Sequence, residues 1–285
     1  NRREKAIKKY WPIFVAPTVA AFCIGFLWPF LQGLYLSLCK FTTLKKVTFV
    51  GFENFKYALT DPEFAHAFWF TAAFTVVSTI FINVIAFTIA LILTRKIRGT
   101  NLFRTVFFMP NLIGGVVLGY IWSILLNCVL SLLAKPLLRL DATYGFWGLI
   151  LLMCWQQIGY MMIIYIAGLQ SIPNDYLEAA YIDGANSWQT LWRVKIPNVM
   201  PSITICLFLT LTNSFKLFDQ NLALTGGEPA HMTEMLALNI YNTFYGRSGA
   251  QWKGYGQAKA VIFCVLVIVI SMIQLRATRS KEVQQ

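Results

Sequence analysis

Charged side chains are few within the apolar segments of this sequence. Lys216 and Asp219 lie three residues apart in one segment, and Lys259 lies near the edge of another. Carriers and pumps hold protons or ions on such groups, so the chemistry that these side chains could do is ion coupling. Two residues three apart on a helix can also pair with each other. Structural pairing and ion coupling are therefore both open for Lys216 and Asp219.

No reaction motif accompanies these charges. The sequence has no glycine-rich phosphate-binding loop, no His-Glu-x-x-His pattern and no Gly-x-Ser-x-Gly pattern. The six cysteines lie in or beside apolar stretches without Cys-x-x-Cys spacing, and His66 and His231 stand alone. We therefore expect no catalytic residue, no metal site and no cofactor bound by this chain.

The composition predicts an all-α, polytopic membrane protein. Of 285 residues, 57% are hydrophobic and only 13% are charged, and the mean hydropathy is +0.59. A soluble domain has about one quarter charged residues. The net charge of +12 then indicates basic loops that orient the chain in a membrane, rather than nucleic-acid binding. Runs of roughly 20 or more apolar residues predict six transmembrane helices in a single domain over 1–285, at 11–39, 67–94, 102–128, 146–169, 199–225 and 257–275.

The polar segment at 170–198 carries helix signals of its own. Asn174 is expected to cap a first short helix, and Gly184 to end it. Asn186 and Gln189 have the spacing of a capping box that opens a second helix, which Pro197 is expected to end. Two short helices joined at a glycine form a projection from the membrane, so the segment is predicted to be a docking element.

Basic residues indicate which side of the membrane this segment occupies. Six spans place both termini on the side that also holds the 170–198 segment and a cluster of Arg95, Lys96, Arg98 and Arg104. That side carries more Lys and Arg than the opposite loops, so it is predicted to be cytoplasmic.

The polar segment and three other stretches of the sequence resemble a known family. The residues Glu178-Ala179-Ala180, Asp183-Gly184-Ala185, Gln189, Ile196-Pro197 and Pro201 resemble the "EAA" signature of binding-protein-dependent ABC transporter permeases. Three further stretches are similar to the carbohydrate-uptake branch of that family, the maltose and glycerol-3-phosphate types: Val50 to Phe55, Arg104 to Pro110, and Leu224 to Gly227 with Pro229. Glu228 departs from the usual Gly-Gly-Gly-Pro turn. The chain resembles the first permease subunit of a heterodimeric pair.

The resemblance implies a coupling role for the polar segment. In this family the segment docks in a cleft of an ATP-hydrolysing subunit, which assigns ATPase coupling to Glu178, Ala179, Ala180, Asp183 and Gly184. The glutamate is the charged contact, the alanines allow close approach and the glycine makes the bend.

The resemblance also implies the partners and the setting. These are a second homologous permease subunit, two ABC ATPase subunits that bind ATP and Mg, an extracytoplasmic solute-binding protein and membrane lipid, in a bacterial-type plasma membrane. The implied function is ATP-driven import of a sugar by alternating access.

Six positions match the sugar path of the maltose-type relatives: Gln156, Gln157, Tyr160, Asn213, Ser214 and Leu217. Amides and hydroxyls suit a polyhydroxylated ligand, and aromatic faces suit a sugar ring. Adjacent buried glutamines can also serve helix–helix hydrogen bonding, so lining a cavity and packing between helices remain open.

Two other classes of protein fit parts of the sequence. One is an ion-coupled secondary transporter that uses Lys216 and Asp219. The other is a polytopic membrane transferase, which would need a cluster of acidic or histidine residues at a membrane face, and the sequence shows none.

Overall fold

The computed structural model describes residues 2–43, 45–95 and 99–279. The described chain is mostly helical, as predicted, and Lys96 and Arg98 of the predicted basic cluster lie outside it. Its α-helices are α1 (Arg2–Phe22), α2 (Trp28–Leu36), α3 (Glu53–Thr60), α4 (Pro62–Leu93), α5 (Thr100–Phe108), α6 (Gly115–Leu132), α7 (Ala142–Gln170), α8 (Asn174–Ile182), α9 (Ser187–Thr190), α10 (Ile196–Asn198), α11 (Met200–Phe215), α12 (Asp219–Leu224), α13 (Leu236–Tyr245) and α14 (Ala250–Arg279).

Five helical segments are long and apolar enough to cross a membrane: Tyr10–Leu36, Pro62–Leu93, Gly115–Leu132, Ala142–Gln170 and Ala250–Thr278. The predicted fifth span at 199–225 is divided, because α11 ends at Phe215 and α12 begins at Asp219. A sixth span is counted only if Ser187–Asn198 and α11, which meet at a bend of 72°, are taken together. The prediction of six spans therefore stays a prediction.

Prolines and glycines shape the ends of the spans. The predicted third span does not run unbroken from residue 102, because a 3₁₀ turn at Met109–Leu112 separates α5 from α6. Pro110 lies in that turn, where its missing donor costs little. In the first span, a π-helical turn at Cys23–Leu27 precedes Pro29, which lies in the first turn of α2.

The chain divides into two compact units. The first comprises Asn1–Asp61 and Ile240–Ile262. It contains α1 to α3 and a hairpin of strand β1 (Cys39–Phe41) and strand β2 (Val47–Phe49), which pair antiparallel with Cys39 opposite Phe49. The buried Asn54 amide donates to the carbonyls of Ser37 and Cys39 at 2.8 and 2.9 Å, which joins α3 to the hairpin.

A buried ion pair stabilises the first unit. The Nζ atom of Lys259 in α14 lies 2.6 Å from Oδ2 of Asp61, and the two side chains are 0% and 5% exposed. The same ammonium donates to Oγ1 of Thr243 in α13 at 2.8 Å. Removing either charge would leave the other buried and uncompensated, which costs several kcal/mol. Lys259 is therefore a structural residue of this unit.

The second unit comprises Pro62–Asn239 and Phe263–Gln285, and its core lies where α4, α7 and α11 pack together. Polar side chains connect these helices. The Tyr165 hydroxyl donates to Oδ1 of Asn83 at 2.6 Å, and the Asn83 amide donates to Oγ1 of Thr210 at 2.9 Å. Such interhelical hydrogen bonds replace the hydrophobic driving force that lipid does not provide.

Small residues allow α12 to approach α6 closely. A Cβ atom on Gly115 would lie 2.7 Å from Cβ of Asp219, and one on Gly119 would lie 2.7 Å from Cβ of Ala223. The four-residue spacing of these glycines on α6 allows this close approach. This contact fixes the position of the broken part of the fifth span.

Candidate functional site

The polar segment folds into two short helical pieces joined at Gly184, as predicted. Gly184 has a φ of +73° and a Cβ there would meet no atom within 4 Å, so backbone conformation alone favours glycine at this position. The capping box is confirmed, since the backbone N–H of Gln189 donates to Oδ1 of Asn186 at 2.8 Å and the backbone N–H of Asn186 donates to Oε1 of Gln189 at 2.9 Å. These local signals set the geometry of the segment.

Two predictions for this segment are wrong. Asn174 does not cap α8, because it is the first helical residue and the residue before it, Pro173, has no side-chain cap. Pro197 does not end the second helical piece, which continues through a π-helical turn at Leu191–Lys195 and ends at Asn198. Pro197 lies in the first turn of α10, where no intrahelical donor is needed. The chain then bends by 72° into α11.

The five predicted coupling residues lie on two different surfaces of α8. Glu178 lines an outer groove of about 410 Å³ together with Asn174, Leu177, Tyr181 and Ile182. The other four line an open cleft of about 730 Å³ between α8 and the second helical piece: Ala179, Ala180, Asp183 and Gly184. The structure therefore separates the charged contact from the small residues, which face the segment's own second piece.

Two large apolar side chains next to Glu178 were not identified from the sequence. Tyr181 is 84% exposed and Ile182 is 82% exposed. Apolar side chains this exposed beside a carboxylate form a surface suited to a protein partner. The signal available in the sequence was two consecutive large apolar residues within a polar segment.

A second candidate site is a cavity of about 270 Å³ beside the break between α11 and α12. Three of the predicted path residues line it: Gln157, Asn213 and Leu217. Met153, Lys216, Phe218, Asp219 and Gln220 complete the wall. The Oε1 atom of Gln157 is buried and accepts no hydrogen bond from any residue that the structure describes. A buried amide oxygen without a donor favours a hydroxylated ligand or water at this place.

The other three predicted path residues serve packing. Gln156 accepts a hydrogen bond from Nε2 of Gln220 at 2.7 Å and donates to the Ile113 carbonyl at 3.3 Å. The buried Ser214 hydroxyl accepts from Ser78 at 2.9 Å. Tyr160 packs against a phenylalanine ring of α5 with centroids 6.4 Å apart. The two adjacent glutamines thus take different roles, one between helices and one in the cavity wall.

Lys216 and Asp219 do not form an ion pair with each other or with any other residue in the described ranges. Both are exposed at the cavity wall. Lys216 follows the last turn of α11, and Asp219 begins α12. A cation at a helix C-terminus and a carboxylate at an N-terminus are each favoured by the helix dipole. The helix break, rather than mutual pairing, accounts for their positions.

Among the residues that the structure describes, no group of three or more His, Cys, Asp or Glu side chains could hold a metal ion. The arrangement as a whole offers an exposed groove on α8 and a polar cavity beside the break between α11 and α12.

Comparison with known families identifies the chain. Residues 98–281 match the sequence model of the protein family described as binding-protein-dependent transport system inner membrane component. This chain belongs to that family.

Curated relatives match almost the whole length. The chain is 44% identical to the probable starch degradation products transport system permease protein AmyD of Thermoanaerobacterium thermosulfurigenes, over 96% of this chain and 95% of AmyD. It is 32% identical to the multiple sugar-binding transport system permease protein MsmF of Streptococcus mutans, over 98% of this chain and 99% of MsmF. It is 30% identical to the sn-glycerol-3-phosphate transport system permease protein UgpA of Brucella abortus, over 94% of each chain.

A solved structure shows the same fold. A chain of a bacterial ABC transporter that imports the acidic polysaccharide alginate superposes with a TM-score of 0.80 at 22% identity, covering 98% of this chain and 99% of that one. The permease therefore has the fold of that membrane protein, and it is a multi-pass membrane protein.

Proposed function

We propose that this permease is a transmembrane subunit of an ATP-driven importer that carries a saccharide into the cell. In this proposal an extracytoplasmic solute-binding protein delivers the saccharide, a second homologous permease completes the pathway, and two ABC ATPase subunits bind ATP and Mg. This chain itself catalyses no reaction and binds no cofactor. The observation that carries the proposal is the match to the family over residues 98–281, together with three relatives named for starch products, sugars and glycerol phosphate.

The geometry of the segment at 174–197 supports a coupling role. Glu178 is exposed and lies in a groove with two apolar side chains that nothing else in the described chain covers. The bend at Gly184 turns the chain between α8 and the second helical piece, and the capping box defines where that piece begins. The segment can therefore pass the movement of a bound partner on to α11, which begins two residues after Asn198.

The cavity supports a polar substrate. Its wall combines three amides, an ammonium, a carboxylate and the ring of Phe218. Carboxylates and amides bind hydroxyl groups, and an aromatic ring packs against the apolar face of a sugar. We assign the saccharide path to Gln157, Asn213 and Leu217, and a supporting role to Gln156, Tyr160 and Ser214.

The mechanism follows from the separation of the two sites. ATP binding closes the ATPase subunits, the segment at 174–197 moves with them, and the spans shift between outward-open and inward-open states. The ATPase biases this equilibrium only through contacts that differ between its two states. Both termini and the coupling segment lie on the cytoplasmic side in this proposal.

The test is the variant Glu178→Lys in the complete complex reconstituted in proteoliposomes. We expect saccharide uptake and stimulation of ATP hydrolysis by the binding protein to be lost, because the charged contact is reversed, while membrane insertion is unchanged. The matched control is Asp175→Lys, which makes the same charge change in the same helix at a residue outside both grooves.

Normal uptake by Glu178→Lys would refute docking through this residue. Wild-type uptake that survives removal of ATP but stops with an uncoupler would instead support an ion-coupled carrier that uses Lys216 and Asp219.

A further inference from the structure

Two tryptophans on the second helical piece of the coupling segment are uncovered by the rest of the described chain. Trp188 is 67% exposed and Trp192 is 54% exposed. Their rings contact each other edge to face with centroids 5.7 Å apart, so they form one aromatic surface. Neither ring lines the cleft that faces α8, whereas Gln189, Arg193 and Pro197 of the same piece do. The tryptophan surface therefore needs a different partner from the cleft.

The bend before α11 places this surface close to the end of a span. The piece Ser187–Asn198 is inclined at 72° to α11. Its twelve residues extend about 18 Å at about 1.5 Å per residue, so it advances only about 6 Å along the α11 axis. The headgroup layer of a bilayer is about 5–7 Å thick on each side, which is half of the difference between about 30 Å of hydrocarbon and about 40–45 Å in total.

The length of α11 indicates how deep in the bilayer its end at Met200 lies. Its 16 residues extend about 24 Å, less than the hydrocarbon thickness of about 30 Å. If α11 is taken as centred in the hydrocarbon, its end at Met200 lies about 3 Å inside the boundary. Trp192 and Trp188 follow within one headgroup layer of it, where tryptophan is enriched in membrane proteins.

The charges of the piece fit the same location. Arg193 and Lys195 are the basic residues of its π-helical turn, and no ion pair to either is found in the described chain. Long basic side chains beside an interfacial helix reach phosphate groups, and the cytoplasmic leaflet carries a negative surface potential.

We propose that Trp188, Trp192 and Lys195 bind the anionic headgroup layer of the cytoplasmic leaflet, and that the exposed side chain of Arg193 reaches the same layer from the cleft. The coupling segment then has two partners. The groove of Glu178 binds the ATPase, and the tryptophan surface slides on the bilayer and keeps the segment in its plane. This inference rests on the proposed function for the cytoplasmic location of the segment.

The experiment uses the complete complex in nanodiscs of phosphatidylcholine, of phosphatidylcholine with phosphatidylglycerol, and of brominated phosphatidylcholine, whose bromines quench nearby tryptophan. The fluorescence of the variant Trp188→Phe/Trp192→Phe is subtracted from that of the wild type to isolate the two rings. We expect brominated lipid to remove about half or more of this difference signal, as for rings at the membrane interface.

A second readout tests the basic residues. Phosphatidylglycerol should increase coupled ATP hydrolysis severalfold in the wild type but not in Arg193→Gln/Lys195→Gln. The matched control is Lys253→Gln. Lys253 lies in the first unit, where its ammonium donates to the Thr42 carbonyl of the same unit, and this variant should keep the lipid response.

Two results would overturn the inference. A difference signal that brominated lipid leaves unchanged, but that shifts when the ATPase subunits are removed, would assign the surface to the ATPase. A signal insensitive to both would assign it to the second permease. Failure of the proposed function would appear separately, as normal uptake by Glu178→Lys.

Discussion

The coupling segment and the intramembrane cavity present polar groups to a partner by different means. The bend at Gly184 and the capping box of Asn186 and Gln189 arise from residues within six positions of one another. The cavity joins side chains of α7, α11 and α12, and its Gln156–Gln220 hydrogen bond connects residues 64 positions apart. We therefore expect the segment around Gly184 to tolerate substitutions elsewhere in the chain, whereas the cavity depends on the packing of the spans.

The substitution Gly159→Ala should have the largest effect. A Cβ atom at Gly159 in α7 would overlap the backbone carbonyl of Phe107 in α5, and a backbone atom cannot move aside as a side chain can. Overpacking costs about 1–3 kcal/mol and sometimes more, so we expect severe loss of folded protein in detergent, measured by size exclusion and thermal unfolding. The control Gly25→Ala meets no atom within 4 Å. Equal thermal stability of the two variants would contradict the close packing of α5 on α7.

The substitution Gln157→Leu separates cavity function from packing. Because Oε1 of Gln157 has no donor in the described chain, we expect unchanged stability but about tenfold slower saccharide uptake, equivalent to about 1.4 kcal/mol of lost binding. Gln156→Leu is the matched control. It breaks two hydrogen bonds and should cost about 1–3 kcal/mol of stability. Uptake by Gln157→Leu at the wild-type rate would remove Gln157 from the path.

The substitution Gly184→Ala tests the local character of the coupling segment. Its φ of +73° disfavours alanine by about 1–2 kcal/mol, although no atom obstructs the new methyl group. We expect faster hydrogen exchange in α8 and α9 and no change in the thermal unfolding of the spans. A change in overall unfolding similar to that of Gly159→Ala would show that the segment and the spans form one cooperative structure.

The smallest effect is expected for Lys40→Ala in the first unit. Lys40 is partly exposed, and its hydrogen bond to Glu53 at 3.0 Å and the charge of that carboxylate raise the pKa of the ammonium above its usual value of 10.5. The stabilisation is therefore fully present below pH 10.5 and is lost as pH rises through the raised pKa. An exposed pair contributes little, so thermal unfolding near neutral pH should not change. A pronounced drop in melting temperature would show that this pair is coupled to the fold.

The sequence predicted the features that depend on neighbouring residues. The helical class, the position of five spans, the turn at Gly184 and the capping box follow from local composition and spacing. Lys216 and Asp219 were noted as intramembrane charges, but their separation at a helix break depends on how α12 packs against Gly115 and Gly119 of α6. Which of two adjacent glutamines faces the cavity depends in the same way on Gln220.

Tyr181 and Ile182 show a different limit. Their apolar character was visible in the sequence, but a helix in a polar segment has two faces, and only the structure shows which face α8 turns away from its own second piece. The division of the coupling residues between a groove and a cleft has the same origin. Local signals predict that a helix forms, and the contacts of the whole chain determine what it presents.

The ion pair of Asp61 and Lys259 has a consequence for biogenesis. The ribosome makes the carboxylate almost two hundred residues before the ammonium that neutralises it. During that interval the newly inserted protein lacks the ammonium that pairs with this carboxylate at the start of α4. A chain that stalls before α14 therefore lacks the buried ion pair of the first unit, and we expect that unit to be less stable than in the complete chain.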